Sequence, residues 1–179
     1  VGTLLDGDVQ GKLQGMSKQL KQVSIDTGAA TSDLTDGLYQ VVSAFGESAE
    51  SVKQLEIAAK AAKAGNATTT DSVNMLSAVT KGYGDTSAAA LQKASDLAFL
   101  TVKLGQTSFP ELASSMGQVV PLAATMKVSQ EELFGAMATL TGVTGGTAEV
   151  TTQLRATMQE FLSPSSQMEK ALKKMGYTS

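Results

Sequence analysis

The chain has 179 residues, enough for one large domain or a section of a longer protein. At 42% hydrophobic and 17% charged it can bury a core and is not compositionally disordered. A net charge of −3 with scattered Lys and Arg leaves no basic footprint for nucleic acid, and the absence of Cys and His excludes disulfides, thiolate metal sites and the commonest general base.

The chain starts at Val1 without an initiator methionine and reads as a piece excised from a longer protein. Its N-terminus lacks the basic-then-apolar build of a signal peptide. The longest charge-free run, Leu133 to Ala148, is short for a membrane span and rich in Gly and Thr, so the chain reads as soluble. Aromatic residues make up only 4% and there is no Trp, so the core is expected to be built from small-residue helix–helix contacts.

Apolar residues recur at helical spacing along the chain. Met16, Leu20 and Val23 form the first stripe, and residues 1–30 are expected as an N-terminal helix continuing upstream helical sequence. From 31 to 179 a helical domain follows. Its stripes are Leu34, Leu38, Val41 and Phe45; Val52, Leu55 and Ala59; Val73, Leu76, Val79 and Tyr83; and Leu91, Ala94, Ala98 and Val102. Later stripes are Leu133, Met137 and Leu140, then Val150, Leu154, Met158 and Phe161. No run of alternating β-branched residues competes with them. The expected fold is all-α: a compact bundle of about eight to nine amphipathic helices, joined as α-hairpins by Gly-rich turns.

Helix starts and stops follow from local chemistry. Ser108 with Glu111, and Ser129 with Glu132, are capping boxes, and Val128 with Leu133 adds a hydrophobic staple. Ser32, Ser48, Thr70, Thr86 and Thr147 are weaker caps. Gly28, Gly46, Gly65, Gly84 and Gly105 mark helix stops 18, 19, 19 and 21 residues apart. Two such intervals make a hairpin of roughly 38 residues. The segment from Asp33 to Gly46 echoes that from Asp71 to Gly84, ending Phe-Gly in one and Tyr-Gly in the other. In FPELASSMGQVVPLAA, Pro110 falls in the first helical turn, where its missing amide costs nothing. Pro121 would collide with the carbonyl of Gly117, so this helix is expected to be kinked rather than ended.

Only Glu111, Lys127, Glu131 and Glu132 are charged between Leu104 and Ala148. Such a segment is either the centre of the fold or a surface another chain covers. Under the second reading, Phe109, Leu112, Met116, Phe134 and Met137 are the partner-facing residues.

No catalytic or cofactor motif is complete. Asp6-Gly-Asp8-Val-Gln10-Gly11 begins like a calcium loop, but its twelfth position is Ser17 where a bidentate Glu is needed. Gly82-Tyr-Gly84 lacks the third glycine and the strand of a dinucleotide fingerprint, and Gly142 to Thr147 lacks the Lys of a phosphate loop. Glu131 and Glu132 read as first-turn acids at a positive helix end, and the eight Met residues as core fillers. No cofactor, metal or enzymatic activity is expected.

The stretches LGQTSFPELASSMGQVVPLAA and VSQEELFGAMATLTGVTGGTAEVTTQLRA closely resemble the core region of phage tail tape measure proteins, within a resemblance covering about 30 to 177. That resemblance implies a structural virion protein, a section of a much longer chain packed in the tail lumen. Such chains set tail length and leave the tube ahead of the DNA. Implied partners are tail tube subunits, tail assembly chaperones and the tail-tip initiator, with self-association in the tail and membrane contact only at ejection. The alternatives are a helical adaptor or chaperone-like module, or a membrane-active or muralytic segment acting during ejection.

Overall fold

Helix starts in this protein are set by side chains that accept amide hydrogens the helix itself leaves orphaned. The computed structural model describes residues 1–5 and 7–177. After a 3₁₀ turn at Gly2–Leu4, nine helices follow among the described residues. They are α1 (Val9–Thr27), α2 (Thr31–Phe45), α3 (Ser51–Gly65), α4 (Thr69–Gly82), α5 (Ala88–Leu104), α6 (Phe109–Thr125), α7 (Gln130–Thr144), α8 (Thr147–Leu162) and α9 (Ser166–Lys174). Both capping boxes form as expected. Ser129 Oγ accepts from the Glu132 amide at 3.2 Å while Glu132 Oε2 accepts from the Ser129 amide at 2.8 Å. Ser108 and Glu111 repeat the exchange at 3.4 and 2.8 Å. Of the calcium-like stretch, Asp6 lies outside the described residues, and Asp8 caps α1 by accepting from the Gly11 amide at 3.0 Å.

The weaker caps fall elsewhere. Thr68 caps α4 and Ser87 caps α5, while Ala30, Glu50 and Gly146 precede α2, α3 and α8 without a side-chain cap. Two hydroxyls in the first turns bond across to other helices: Thr69 donates to Asp33, and Thr147 donates to Thr107 Oγ1 at 2.7 Å. Where two hydroxyls sit side by side, spacing alone does not say which one caps.

The helices form two layers. Helices α2, α4, α6 and α8 lie side by side in one, and α1, α3, α5 and α7 in the other. Starts in the even layer fall at Thr31, Thr69, Phe109 and Thr147, that is 38, 40 and 38 residues apart. Hydrogen bonds between hairpins keep this register. Asp33 accepts from the Thr69 amide at 3.3 Å, and Glu50 Oε2 accepts from the Ala88 amide at 3.2 Å. The echo between Asp33–Gly46 and Asp71–Gly84 thus falls on α2 and α4, neighbours in one layer. Stacked helical hairpins of this kind touch mainly their nearest neighbours.

The core runs continuously between the layers. Leu34, Leu38, Leu55, Leu76, Leu91, Leu112 and Leu133 are all at most 1% exposed, and Ala58, Ala94, Ala98 and Ala123 let the helix backbones approach. Burying one such leucine stabilises the fold by about 1.5–3 kcal/mol before entropy is counted. Residues 1–30 hold α1, whose Leu20 and Val23 join this same core.

Helix α6 continues through Pro121 as one element. Gly117 and Pro121 both face solvent, so the carbonyl that loses its helical donor meets water. Of the expected glycine stops, Gly28 takes the left-handed conformation after α1 (φ 69°) and Gly46 follows α2 at φ 79°, whereas Gly65 is the last residue of α3, with Asn66 in the left-handed position, and Gly105 follows α5 with an extended backbone.

Candidate interaction surface

Helix α5 carries two apolar stripes. Leu91, Ala94 and Ala98 face the core and are fully buried. A second line, Leu97, Leu100 and Leu104 at i, i+3 and i+7, runs along the outer side, with Leu100 48% and Leu104 65% exposed. Across from it, α7 carries no charge after Glu132, so it offers apolar atoms on every side.

Between these helices lies a groove of about 170 Å³, lined chiefly by Leu97, Leu100, Leu104, Phe134, Gly135 and Ala138. Its floor is tied together by the Thr101 hydroxyl, which donates to the Phe134 carbonyl at 3.2 Å. One end is closed by an ion pair, Lys93 Nζ to Glu131 Oε1, at 2.7 Å. That hydrogen bond holds the Glu131 carboxyl below the ordinary carboxylate value. Bonds from the Ser129 amide and hydroxyl do the same for Glu132. Both acids are therefore charged at neutral pH, and Glu131 marks the groove's polar end. The groove offers a mainly apolar contact, with charge only at the Lys93–Glu131 end.

The five residues that one reading of the charge-poor segment sets against a partner do not line an open surface, and the other reading, the centre of the fold, holds. Phe109, Leu112, Met116, Phe134 and Met137 are each at most 1% exposed. Phe109 stacks on Phe99 with ring centroids 5.0 Å apart. Charge poverty around them reflects burial between the layers, and only the edge of Phe134 reaches the groove. The residues that do form the surface are Leu97, Leu100, Leu104, Gly135 and Ala138. Their signal in the sequence was the second stripe on α5.

Tyr83 sits beside the same acids. Its hydroxyl is buried with no hydrogen-bond partner, and its pKa is pushed up to about 12, first by burial and then by Glu131 and Glu132. Because the folded state disfavours the phenolate, Tyr83 contributes stability that is present below its ordinary value of 10.0 and lost as pH rises from there towards 12. Tyr83→Phe is expected to flatten that alkaline loss without weakening the fold at pH 7, since it also removes an unsatisfied buried hydroxyl. Urea denaturation at pH 7 and across the alkaline range checks both halves. An alkaline limb as steep as the parent's would count against the assignment.

Among the described residues, no group of three or more acidic side chains is placed to hold a metal ion, and no helix is long and apolar enough to cross a membrane. No curated protein and no solved structure matches the chain. A family model described as "Phage-related minor tail protein" matches residues 17–179, nearly the whole stack of hairpins. The chain belongs to the family of phage-related minor tail proteins.

Proposed function

We propose that this chain is a folded helical section of a tail tape measure protein, a structural component that sets tail length during assembly and leaves the tail before the DNA. The observation that carries this reading is the tape-measure wording from Leu104 to Ala124 and from Val128 to Ala156, which builds α6, α7 and most of α8. Membership of a minor tail protein family is consistent with it.

The architecture supports the role physically. Each hairpin rests mainly on its neighbours, so the stack can open from one end without losing its whole core at once. A chain of this kind fits a narrow tail lumen stretched lengthwise and refolds where space allows. In this reading it has no catalytic step. Its partners are tail tube subunits, tail assembly chaperones and the tail-tip initiator.

In-frame deletion of the region in the parent phage tests the proposal, with tail lengths read by electron microscopy. The expected result is tails shortened by about 1.5 Å per deleted residue, roughly 270 Å for the full stretch. Tails of unchanged length would overturn the ruler role. The α5–α7 groove favours a second reading, a helical adaptor that docks an apolar partner segment. Loss of tails altogether would support that reading over the first.

A further inference from the structure

A nine-residue helix is too short to persist alone in water, where roughly 12–15 residues are marginal even for good helix formers. Helix α9 is such a helix, and none of its residues is buried. Its apolar side chains nevertheless form one stripe. Met168 and Leu172 stand at i and i+4, and Met175 just past the helix end extends the line at i+7; Glu169, Lys170, Lys173 and Lys174 lie on the opposite face. A stripe so cleanly divided is built to lie on another surface.

The stack identifies that surface. Helix starts in the odd layer fall at Val9, Ser51, Ala88 and Gln130, and α9 starts at Ser166, 36 residues after α7. The same interval separates Gln106 from Gly142, which are joined across the α5 and α7 ends at 3.4 Å. Helix α9 thus arrives in the chain where a fifth odd-layer helix is due.

The side of α7 that such a helix would cover is uncovered. Phe134, Ala138 and Thr141 face α5, as the Thr101–Phe134 bond and the close approach of Gly105 to Ala138 and Thr141 show. Ala136, Leu140 and Val143 fall roughly 120–180° around the helix from Phe134, on the far side. Leu140 is 36% and Val143 82% exposed. On α8 the core stripe of Val150, Leu154 and Met158 continues to Phe161, which is 52% exposed.

We propose that α9 docks on the outer side of α7 as the fifth helix of the odd layer, with Met168, Leu172 and Met175 against Ala136, Leu140 and Val143. The connector permits it. Ser163–Ser165 spans about 10 Å when extended, matching the 8–10 Å between packed helix axes. The Ser165 amide donates to Glu160 Oε1 at 2.9 Å, which anchors the start of α9 beside the end of α8. This inference rests on the stack alone and does not depend on the tape-measure reading.

The absence of native cysteine makes the test direct. Ala136→Cys with Leu172→Cys, and Leu140→Cys with Met175→Cys, place thiols across the proposed contact at separations of 36 and 35 residues. All four positions lie outside the core, so the variants keep the fold, checked by circular dichroism. The intact chain is oxidised at low micromolar concentration and examined by non-reducing gel and mass spectrometry. The expected result is an intramolecular disulfide in at least one pair. Ala136→Cys with Lys173→Cys, which turns the thiol to the charged face, should not close. Disulfides between chains only would assign the surface to a second copy and overturn docking within the chain. No disulfide, or equal closure of the control, would overturn it as well.

Discussion

Phe134→Ala is expected to lower the unfolding free energy by about 3–5 kcal/mol, while Leu100→Ala on the same groove changes it by less than about 1 kcal/mol. The two residues are neighbours across the α5–α7 groove, and both are large and apolar. Phe134 is 1% exposed and Leu100 is 48% exposed. Truncating Phe134 removes transfer free energy and leaves a cavity at a point where α7 is tied to α5 through Thr101. Truncating Leu100 removes contacts mostly with water. Chemical denaturation followed by far-ultraviolet circular dichroism measures both. Equal, small losses would mean that Phe134 is not part of the packed core. The reverse pattern is expected for assembly: if the groove docks a partner, Leu100→Ala weakens docking at almost unchanged stability.

The contrast shows how far this fold was legible from its residues. The stripes at Leu34–Leu38–Val41 and Leu133–Met137 announce helices because core contacts recur at a fixed spacing whatever the tertiary arrangement. Both capping boxes are equally local, since Ser129 and Glu132 satisfy each other within one turn. The spacing alone does not choose between Thr68 and Thr70, or between Ser87 and Thr86, because neighbouring hydroxyls offer the same accepting oxygen to alternative helix starts. The candidate surface was harder still. A helix such as α7, apolar on all sides, does not declare which side meets α5, which meets the core and which is left open. Phe134 and Met137, partner-facing under one of the two readings of the charge-poor segment, lie in the core as the other reading has it, while Leu97, Leu100 and Leu104 make the groove.

Some glycines do more than punctuate the helices. Gly65, Gly82 and Gly105 end helices or follow them directly, and each also stands where a neighbouring hairpin comes closest. A β-carbon on Gly65 would lie 2.6 Å from Phe109 Cβ and Cγ. On Gly82 it would meet the Val120 side chain. Gly28, Gly46 and Gly84 of the regular series stand in open space, so the interval of 18–21 residues marks stops, and the close approaches fall at Gly65, Gly82 and Gly105. At Gly65 and Gly82 the missing Cβ makes room for a neighbouring side chain, and at Gly105 for the backbone of α7.

Gly105→Ala is the sharpest test of that idea. Gly105 has an extended backbone (φ −103°, ψ −178°) that alanine can adopt, so any cost must come from space and not from conformation. The added methyl would sit 2.8 Å from the Ala138 carbonyl oxygen and 3.0 Å from Ala138 Cα, besides crowding the Thr141 hydroxyl. Two of these are backbone atoms of α7, so relief requires moving a whole helix. A loss of roughly 1–3 kcal/mol is expected, the usual range for overpacking. Gly135→Ala and Gly117→Ala provide the opposite sign. Both lie inside helices; a methyl on Gly135 meets nothing within 4 Å, and one on Gly117 meets only Ala78 Cβ at 4.0 Å. Each should gain about 0.5–1 kcal/mol from the better helix propensity of alanine. Urea denaturation of the three variants beside the parent separates the two roles of glycine. If Gly105→Ala is neutral, the close approach of α5 to α7 is not what holds the stack in register.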